Sequence, residues 1–223
     1  MAVIISPEEA ARKVENGMTI MVGGFIGCGA PGKLLEVIRL QGTKDLTLIA
    51  NDTGILGDEL AQLVVDHCFK KVIATHIGTN KETGNQMNSG EMEVKLVPQG
   101  TMAEQIRAAG SGIGGILTPT GIGTVIEEGK QKIVVEGNEF LLELPLSADI
   151  ALIKAKKADK AGNLVYHGSA RNFNPLMATA GKRVIAQVDE IVEVGEIQPD
   201  EVITPGIFVD YLVLVPKEVA KVG

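Results

Sequence analysis

Short runs of β-branched and aliphatic residues alternate with helix-compatible segments through the first half of the chain. This alternation limits the possible fold more than any other feature. Thr19 to Val22 (TIMV), Asp45 to Asn51 (DLTLIAN), Lys71 to Thr75 and Glu93 to Val97 read as strands. Pro31 to Leu40, Asp58 to Asp66 and Thr101 to Ala109 read as helices between or after them. Upstream, Ser6-Pro7-Glu8-Glu9 opens a helix, with Ser6 as N-cap, Pro7 at the first helical position and Glu9 completing a capping box. Gly17 is the expected end of that helix. Apolar runs of this kind suit strands covered on both faces. The pattern therefore predicts an α/β fold with a largely parallel sheet flanked by helices.

The second half is more varied. QKIVVEGNEFLLEL reads as a hairpin turning at Gly137-Asn138, while ADIALIKA, RVIAQVD and DYLVLV supply further strands. Asn174 to Ala180 reads as a short helix. No linker, repeat or low-complexity stretch divides the 223 residues, so one domain over residues 1–223 is expected. The formal net charge of −7 argues against nucleic acid as a partner, because neutralising phosphates needs a surplus of Lys and Arg. No apolar run approaches the ~20 residues of a membrane helix. The start, MAVIISPEEAARKVENG, lacks the features of a secretory signal, so a cytoplasmic location is expected.

Cys28, Cys68, His67, His76 and His167 show no metal-ligand spacing, and no metal site is expected. Aromatic residues are only 3% of the chain against 27 glycines, which favours binding by backbone-lined loops over aromatic stacking. The candidate loop lies in MVGGFIGCGAPG, Met21 to Gly32, where Gly24, Gly27 and Gly29 follow a strand and precede a helix. Backbone N–H groups in that position can face an anion. The dinucleotide fingerprint needs G-x-G-x-x-G, whereas this loop reads G-x-x-G-x-G; pattern alone leaves a ligand loop and a structural turn both open. The fingerprint occurs literally from Gly110 to Gly115, but after a helix, and there it reads as a helix C-cap and glycine-rich connection.

Cys28 stands where a helix start could activate a thiol. No histidine neighbours it in sequence, and the burial habit of cysteine favours a packed, inert side chain. Asn51-Asp52 ends a strand at the edge where α/β proteins place ligands. Asp52 is accordingly a candidate acid, base or nucleophile, with an Asx turn or helix cap as the alternative. Glu104 reads as a first-turn acid of its helix.

Asn16-Gly17, the strand to Val22, Gly23-Gly24-Phe25, Gly29 and Pro31 resemble the first signature of the family I CoA-transferases. The likeness continues through DLTLIANDT, VIATHIGTN, ETG, SGEMEV, VPQGT, EQIRAAGSGIGG, LTPTGIGT, EEGK, LLELPLSAD and ARNFNP, which look like the alpha subunit of acetate/butyrate–acetoacetate CoA-transferase. The resemblance implies the α/β fold of that family, related to the sugar-phosphate isomerase fold. It also implies CoA exchange between a short-chain acyl-CoA and a free carboxylate, with coenzyme A as substrate and no tightly bound cofactor. The family's nucleophilic glutamate lies in a Ser-Glu-Asn-Gly motif of a beta subunit; no such motif occurs here. The implied partner is therefore a beta subunit, in a heterodimer or heterotetramer. Gly23, Gly24, Phe25, Ile26, Gly27, Cys28 and Gly29 would form the CoA-binding loop, with no catalytic residue in this chain and Asn51 as an accessory contact to the partner's glutamate. Asp52 falls near that glutamate's place in the paralogous half, and Gln99-Gly100 with Thr118 to Gly123 would shape the acyl pocket. A sugar-phosphate isomerase-like enzyme would instead need a basic phosphate clamp and a self-contained acid/base set. A non-catalytic regulatory subunit would need neither.

Overall fold

The computed structural model describes residues 1–216. In its first half the chain runs β1 (Val3–Ile4), α1 (Pro7–Ala11), β2 (Thr19–Val22), α2 (Gly32–Gln41), β3 (Leu46–Ala50), α3 (Glu59–Val65), β4 (Phe69–Ala74), α4 (Lys81–Ser89), β5 (Glu93–Leu96) and α5 (Gln99–Gly110). The second half runs β6 (Ile116–Thr118), β7 (Lys132–Val135), β8 (Asn138–Glu143), β9 (Ala148–Asp159), β10 (Leu164–Val165), α6 (Asn174–Ala178), β11 (Gly181–Val192) and β12 (Tyr211–Leu214). The main sheet has the order β1-β12-β11-β9-β2-β3-β4-β5, and all these pairs are parallel; β10 adds to β9 antiparallel. The expected parallel sheet is thus present. A second, antiparallel sheet of order β6-β8-β7 sits apart from it.

Alternate residues of the central strands enter different cores, which is why those strands are apolar at nearly every position. Ile20, Val22, Leu48, Ile150 and Leu152 pack on one face with Leu34, Leu35 and Ile38 of α2 and Leu60 and Leu63 of α3. Met21, Ile49, Ala151 and Ile153 pack on the other with Met102 and Ile106 of α5 and Met177 of α6. The connections divide in the same way. From β2 the chain proceeds through β3 and β4 to β5 in one direction, whereas β9, β11 and β12 lie on the other side of β2. The strand order therefore switches between β2 and β9, and a crevice opens beyond the carboxyl ends of strands at such a point. The last β2 pair is Val22 with Leu152, and β9 continues to Asp159, forming a wall above the edge.

Several local expectations shift. The Ser6–Glu9 capping box and Pro7 at the helix start are present, but α1 ends at Ala11, and Gly17 (φ 82) instead turns the chain into β2. The hairpin turns at Glu136-Gly137, one residue earlier than expected, because Val135 pairs with Asn138 and both turn residues take positive φ (51 and 80). Glu104 lies in the second turn of α5, whose first residue is Gln99, and pairs with Arg107 at 2.7 Å. The literal fingerprint at Gly110 is the α5 terminus: Ile113 N–H bonds the Ala108 carbonyl at 2.9 Å and Gly112 has φ 68. Helix α4 carries too few apolar residues to be legible, with Thr83 and Gln86 as its buried positions.

At the opposite edge Asp149 fastens three strands. Its Oδ2 accepts the Thr19 N–H of β2 at 2.9 Å, and its Oδ1 meets Lys182 Nζ of β11 at 2.9 Å. The Thr19 N–H first, and then the Lys182 ammonium, hold the carboxyl below its ordinary 3.8. Asp149→Asn should lower the melting temperature at neutral pH by about 2–4 °C, the shift given by about 1 kcal/mol in a chain of this size, partial exposure limiting it to that scale. A depressed folded pKa stabilises above the unfolded value of 3.8, and that contribution is lost as pH falls through the folded value. The difference between wild type and variant should therefore close on acidification; a constant gap down to about pH 2 would contradict this linkage.

Candidate functional site

The glycine loop begins where β2 leaves the sheet, with Gly23 N–H bonding the Leu152 carbonyl at 3.0 Å. Phe25 and Cys28 then exchange both backbone hydrogen bonds at 3.0 Å, enclosing Ile26 (φ 49) and Gly27 (φ 76). Positive φ at both central residues is the geometry of a tight two-residue hairpin turn. A β-branched residue is a rare occupant of that region, so Ile26 is held there against its preference. Phe25 and Ile26 project into solvent with 42% and 41% exposure.

Side chains from the end of β3 and from the segment that opens α6 clamp this loop. On one side Asp52, only 3% exposed, accepts the Ile26 N–H at 2.8 Å and Asn51 Nδ2 at 3.0 Å on Oδ2, and the Gly54 N–H at 2.8 Å on Oδ1. The Gly54 contact is the Asx turn that the sequence offered as one alternative. On the other side Asn172 Oδ1 accepts the Gly24 N–H at 3.2 Å, while its Nδ2 donates to the Cys28 and Ser169 carbonyls, each at 2.9 Å. Asn174 is completely buried: its Oδ1 accepts the Lys154 N–H at 2.9 Å and its Nδ2 donates to the Gly29 carbonyl at 3.0 Å. These two asparagines were not singled out in sequence as site residues; the paired Asn172-Phe173-Asn174 ahead of a short helix is the signal that marks them.

The fit is close enough to require glycine. A Cβ on Gly23 would stand 1.9 Å from Asn174 Oδ1, and one on Gly29 would stand 2.6 Å from the Ala170 carbonyl oxygen. Asn51 is similarly engaged, its Oδ1 accepting Gln99 Nε2 at 2.6 Å and Thr75 Oγ1 at 3.1 Å. With 2% exposure it is an interior anchor between β3, β4 and α5.

Cavities flank the loop. One, of about 420 Å³, is bordered by Cys28, Gly29, Lys154, Lys156, His167 and Ser169. Cys28 is exposed rather than packed, because the tight turn holds it on the rim with Sγ 3.4 Å from Ser169 Oγ. His167, distant in sequence, borders the same cavity, as does Tyr166, whose phenol burial pushes above its ordinary range. Lys154 is paired with Asp189, whereas Lys156 has no ion-pair partner among the described residues. A second cavity of about 450 Å³ is more apolar and lies between Phe25, Gln99, Gly100, Phe173 and Leu176. Gly100 also borders a third, of about 520 Å³, with Thr118 and Thr120, so the structure brings together the two segments expected to line one pocket.

A strained glycine loop at the switch point of a parallel sheet, clamped from both sides and flanked by cavities, defines an α/β protein whose candidate site is organised around a backbone loop. The family model for coenzyme A transferases matches residues 4–214, and the chain belongs to that family. It is 53% identical over 211 residues to the acetate CoA-transferase subunit alpha of Escherichia coli K12, covering 95% of this chain and 96% of that one. It is 46% identical over 213 residues to the acetoacetyl-CoA:acetate/butyrate CoA transferase alpha subunit of Clostridium acetobutylicum, covering 96% and 98%. Among solved structures, glutaconate coenzyme A-transferase from Acidaminococcus fermentans has the same fold, with TM-score 0.86 at 21% identity over 96% of this chain and 76% of that one. The acyl-CoA transferase of E. coli O157:H7, solved as a thioester complex with CoA, gives TM-score 0.87 at 21% identity; this chain, covered in full, spans 49% of that one.

The clamp predicts unequal effects of alanine at two neighbouring glycines. Gly23→Ala should lower the melting temperature by about 2–12 °C, as expected for overpacking of about 1–3 kcal/mol in a chain of this size. Gly32→Ala, whose Cβ meets nothing within 4 Å at the start of α2, should stay within about 2 °C of wild type or rise. Equal melting of the two variants would remove the close approach of Asn174 as a constraint.

Proposed function

We propose that this chain, as one domain over residues 1–223, is the alpha subunit of a cytoplasmic, heteromeric CoA-transferase. It moves CoA between acetyl-, butyryl- or acetoacetyl-CoA and acetate, butyrate or acetoacetate. The nucleophile is a glutamate of a beta subunit, which carries the glutamyl-CoA thioester between the two half-reactions. One observation carries the shared-site reading: the carboxylates bordering the loop and its cavities are already engaged. Asp52 accepts three N–H donors, Asp58 caps α3 through the Ala61 N–H and also accepts the Ile55 N–H, and Asp189 is paired with Lys154. A carboxylate held in this way is poorly placed to attack a thioester, so attack from a second chain is the simpler account.

In this reading the segment Gly23 to Gly29 closes over the thioester. Five of its N–H groups are engaged internally, and those of Gly27 and Gly29, which donate to nothing among the described residues, are the ones left to face the oxygen that gains charge as the carbonyl becomes tetrahedral. Phe25 and Ile26 at the exposed tip exclude water from the reacting carbon, which protects an acyl anhydride from hydrolysis. The apolar cavity beside Phe25 and Gln99 accommodates a short acyl chain, and the names of the two quoted relatives support acetate, butyrate and acetoacetate as the acids. Lys156 offers a cation in the neighbouring polar cavity for an anionic portion of the substrate. Since one thioester replaces another, the exchange needs no nucleotide hydrolysis.

The test is co-expression with a candidate beta subunit and assay of CoA transfer from acetoacetyl-CoA to acetate, with each chain alone as control. Activity is expected from the pair and not from either chain alone. Full activity of this chain by itself would overturn the shared site, and inactivity in every pairing would favour a regulatory subunit.

A further inference from the structure

We propose that Asp52 is a positioning residue for the glycine loop: its carboxylate holds Ile26 in the left-handed conformation that the loop requires. The inference rests on the reading of this loop as part of the transfer site, and it assigns Asp52 a task other than attack. Three facts carry it. Every polar contact made by the carboxylate comes from an N–H donor, namely Ile26 N, Asn51 Nδ2 and Gly54 N, and the side chain is 3% exposed. Ile26 has φ 49, a left-handed region that disfavours a β-branched residue because its Cβ crowds the neighbouring backbone. The hydrogen bond from its N–H to Oδ2 is charge-assisted and short, 2.8 Å, and so can offset that cost.

The same carboxylate joins the loop to the acyl-side cavity. Gln99, which borders the 450 Å³ cavity, donates to Asn51 Oδ1 at 2.6 Å; Asn51 in turn donates to Asp52 Oδ2 at 3.0 Å. The donors point in one direction, from the cavity wall to Asp52 and from the loop to Asp52. Asparagine at this position keeps one acceptor oxygen and replaces the other with an NH₂ group. Either orientation then sets a donor against the Gly54 N–H or against the Ile26 and Asn51 donors. The isosteric change Asp52→Asn should therefore release the turn while leaving side-chain volume intact.

Two measurements test this. In the isolated full-length chain, hydrogen exchange of the Gly23–Gly29 backbone should accelerate at least about tenfold in D52N; unchanged exchange overturns the proposal whatever the enzyme's substrate. In the complex with the beta subunit, D52N should lower kcat by about 10–100-fold while KM for acetoacetyl-CoA moves less than about threefold, the signature of lost alignment. Ile26→Gly removes the conformational penalty, so in the I26G background the further loss from D52N should shrink to about threefold or less. An equal loss in both backgrounds would mean that Asp52 acts elsewhere and would overturn the assignment. Should D52N not fold, Asp52→Glu serves in its place, because the extra methylene displaces the same oxygens and must raise exchange in the same loop. An inactive wild-type pair would count against the proposed function alone, since the exchange measurement still decides the role of Asp52.

Discussion

The parallel pairing of β2 with β9 is the contact on which the rest of the molecule depends. Two halves of the chain meet there, joined by Ile20 with Ile150, Met21 with Ala151 and Val22 with Leu152. Each strand is buried on both faces, so the pairing aligns both cores at once. Moving β2 by one residue would exchange Met21 with its neighbours across the sheet and mispack both layers. The register is thereby fixed, and with it the height at which the glycine loop leaves the sheet. Because β9 continues beyond that height, the loop emerges against a strand rather than into open solvent.

A loop of glycines is not rigid by composition, since each glycine adds conformational freedom to be lost on folding. Rigidity here comes from polar side chains that reach it from elsewhere. Asp52 follows β3, while Asn172 and Asn174 lie between β9 and β11. The clamps therefore belong to the two directions in which the chain leaves β2, and they meet only because the strand order switches. Buried polar groups of this kind carry a large penalty if left unpaired, so their saturation with hydrogen bonds ties the loop conformation to the global fold. The bond between the Asn174 side chain and the Lys154 N–H also connects the clamp directly to β9.

Much of the main sheet was legible because burial on both faces leaves a local signature: nearly continuous apolar runs such as TIMV and LTLIA. The helices that cover it were legible where their apolar period was strong, as in α2 and α5. Helix α4 was not, because KETGNQMNS buries Thr83 and Gln86 instead of aliphatic side chains. The exposure of Cys28 was missed for a related reason. Average burial habits carry no information about a two-residue turn that fixes one particular side chain on a rim. The glycine spacing located the loop, but its clamps are distant in sequence, the Ile26–Asp52 bond spanning 26 positions and the Gly24–Asn172 bond 148, and no local pattern encodes such pairings.

Asn51-Asp52 shows how a sequence reading and a structure can agree on place and differ on task. A carboxylate at the end of a parallel strand stands where α/β proteins gather reactive groups, and that location is real. What decides its role is the direction of its hydrogen bonds, which is invisible in sequence. Here all three donors converge from the backbone and from Asn51, leaving the carboxylate turned inward with 3% exposure. A nucleophile needs a lone pair facing a cleft, whereas an anchor needs its lone pairs occupied. The geometry satisfies the second requirement at the expense of the first. The separation of tasks also suits the shared site proposed above, in which this subunit holds a strained loop with Asp52 while a partner keeps an acid free to react.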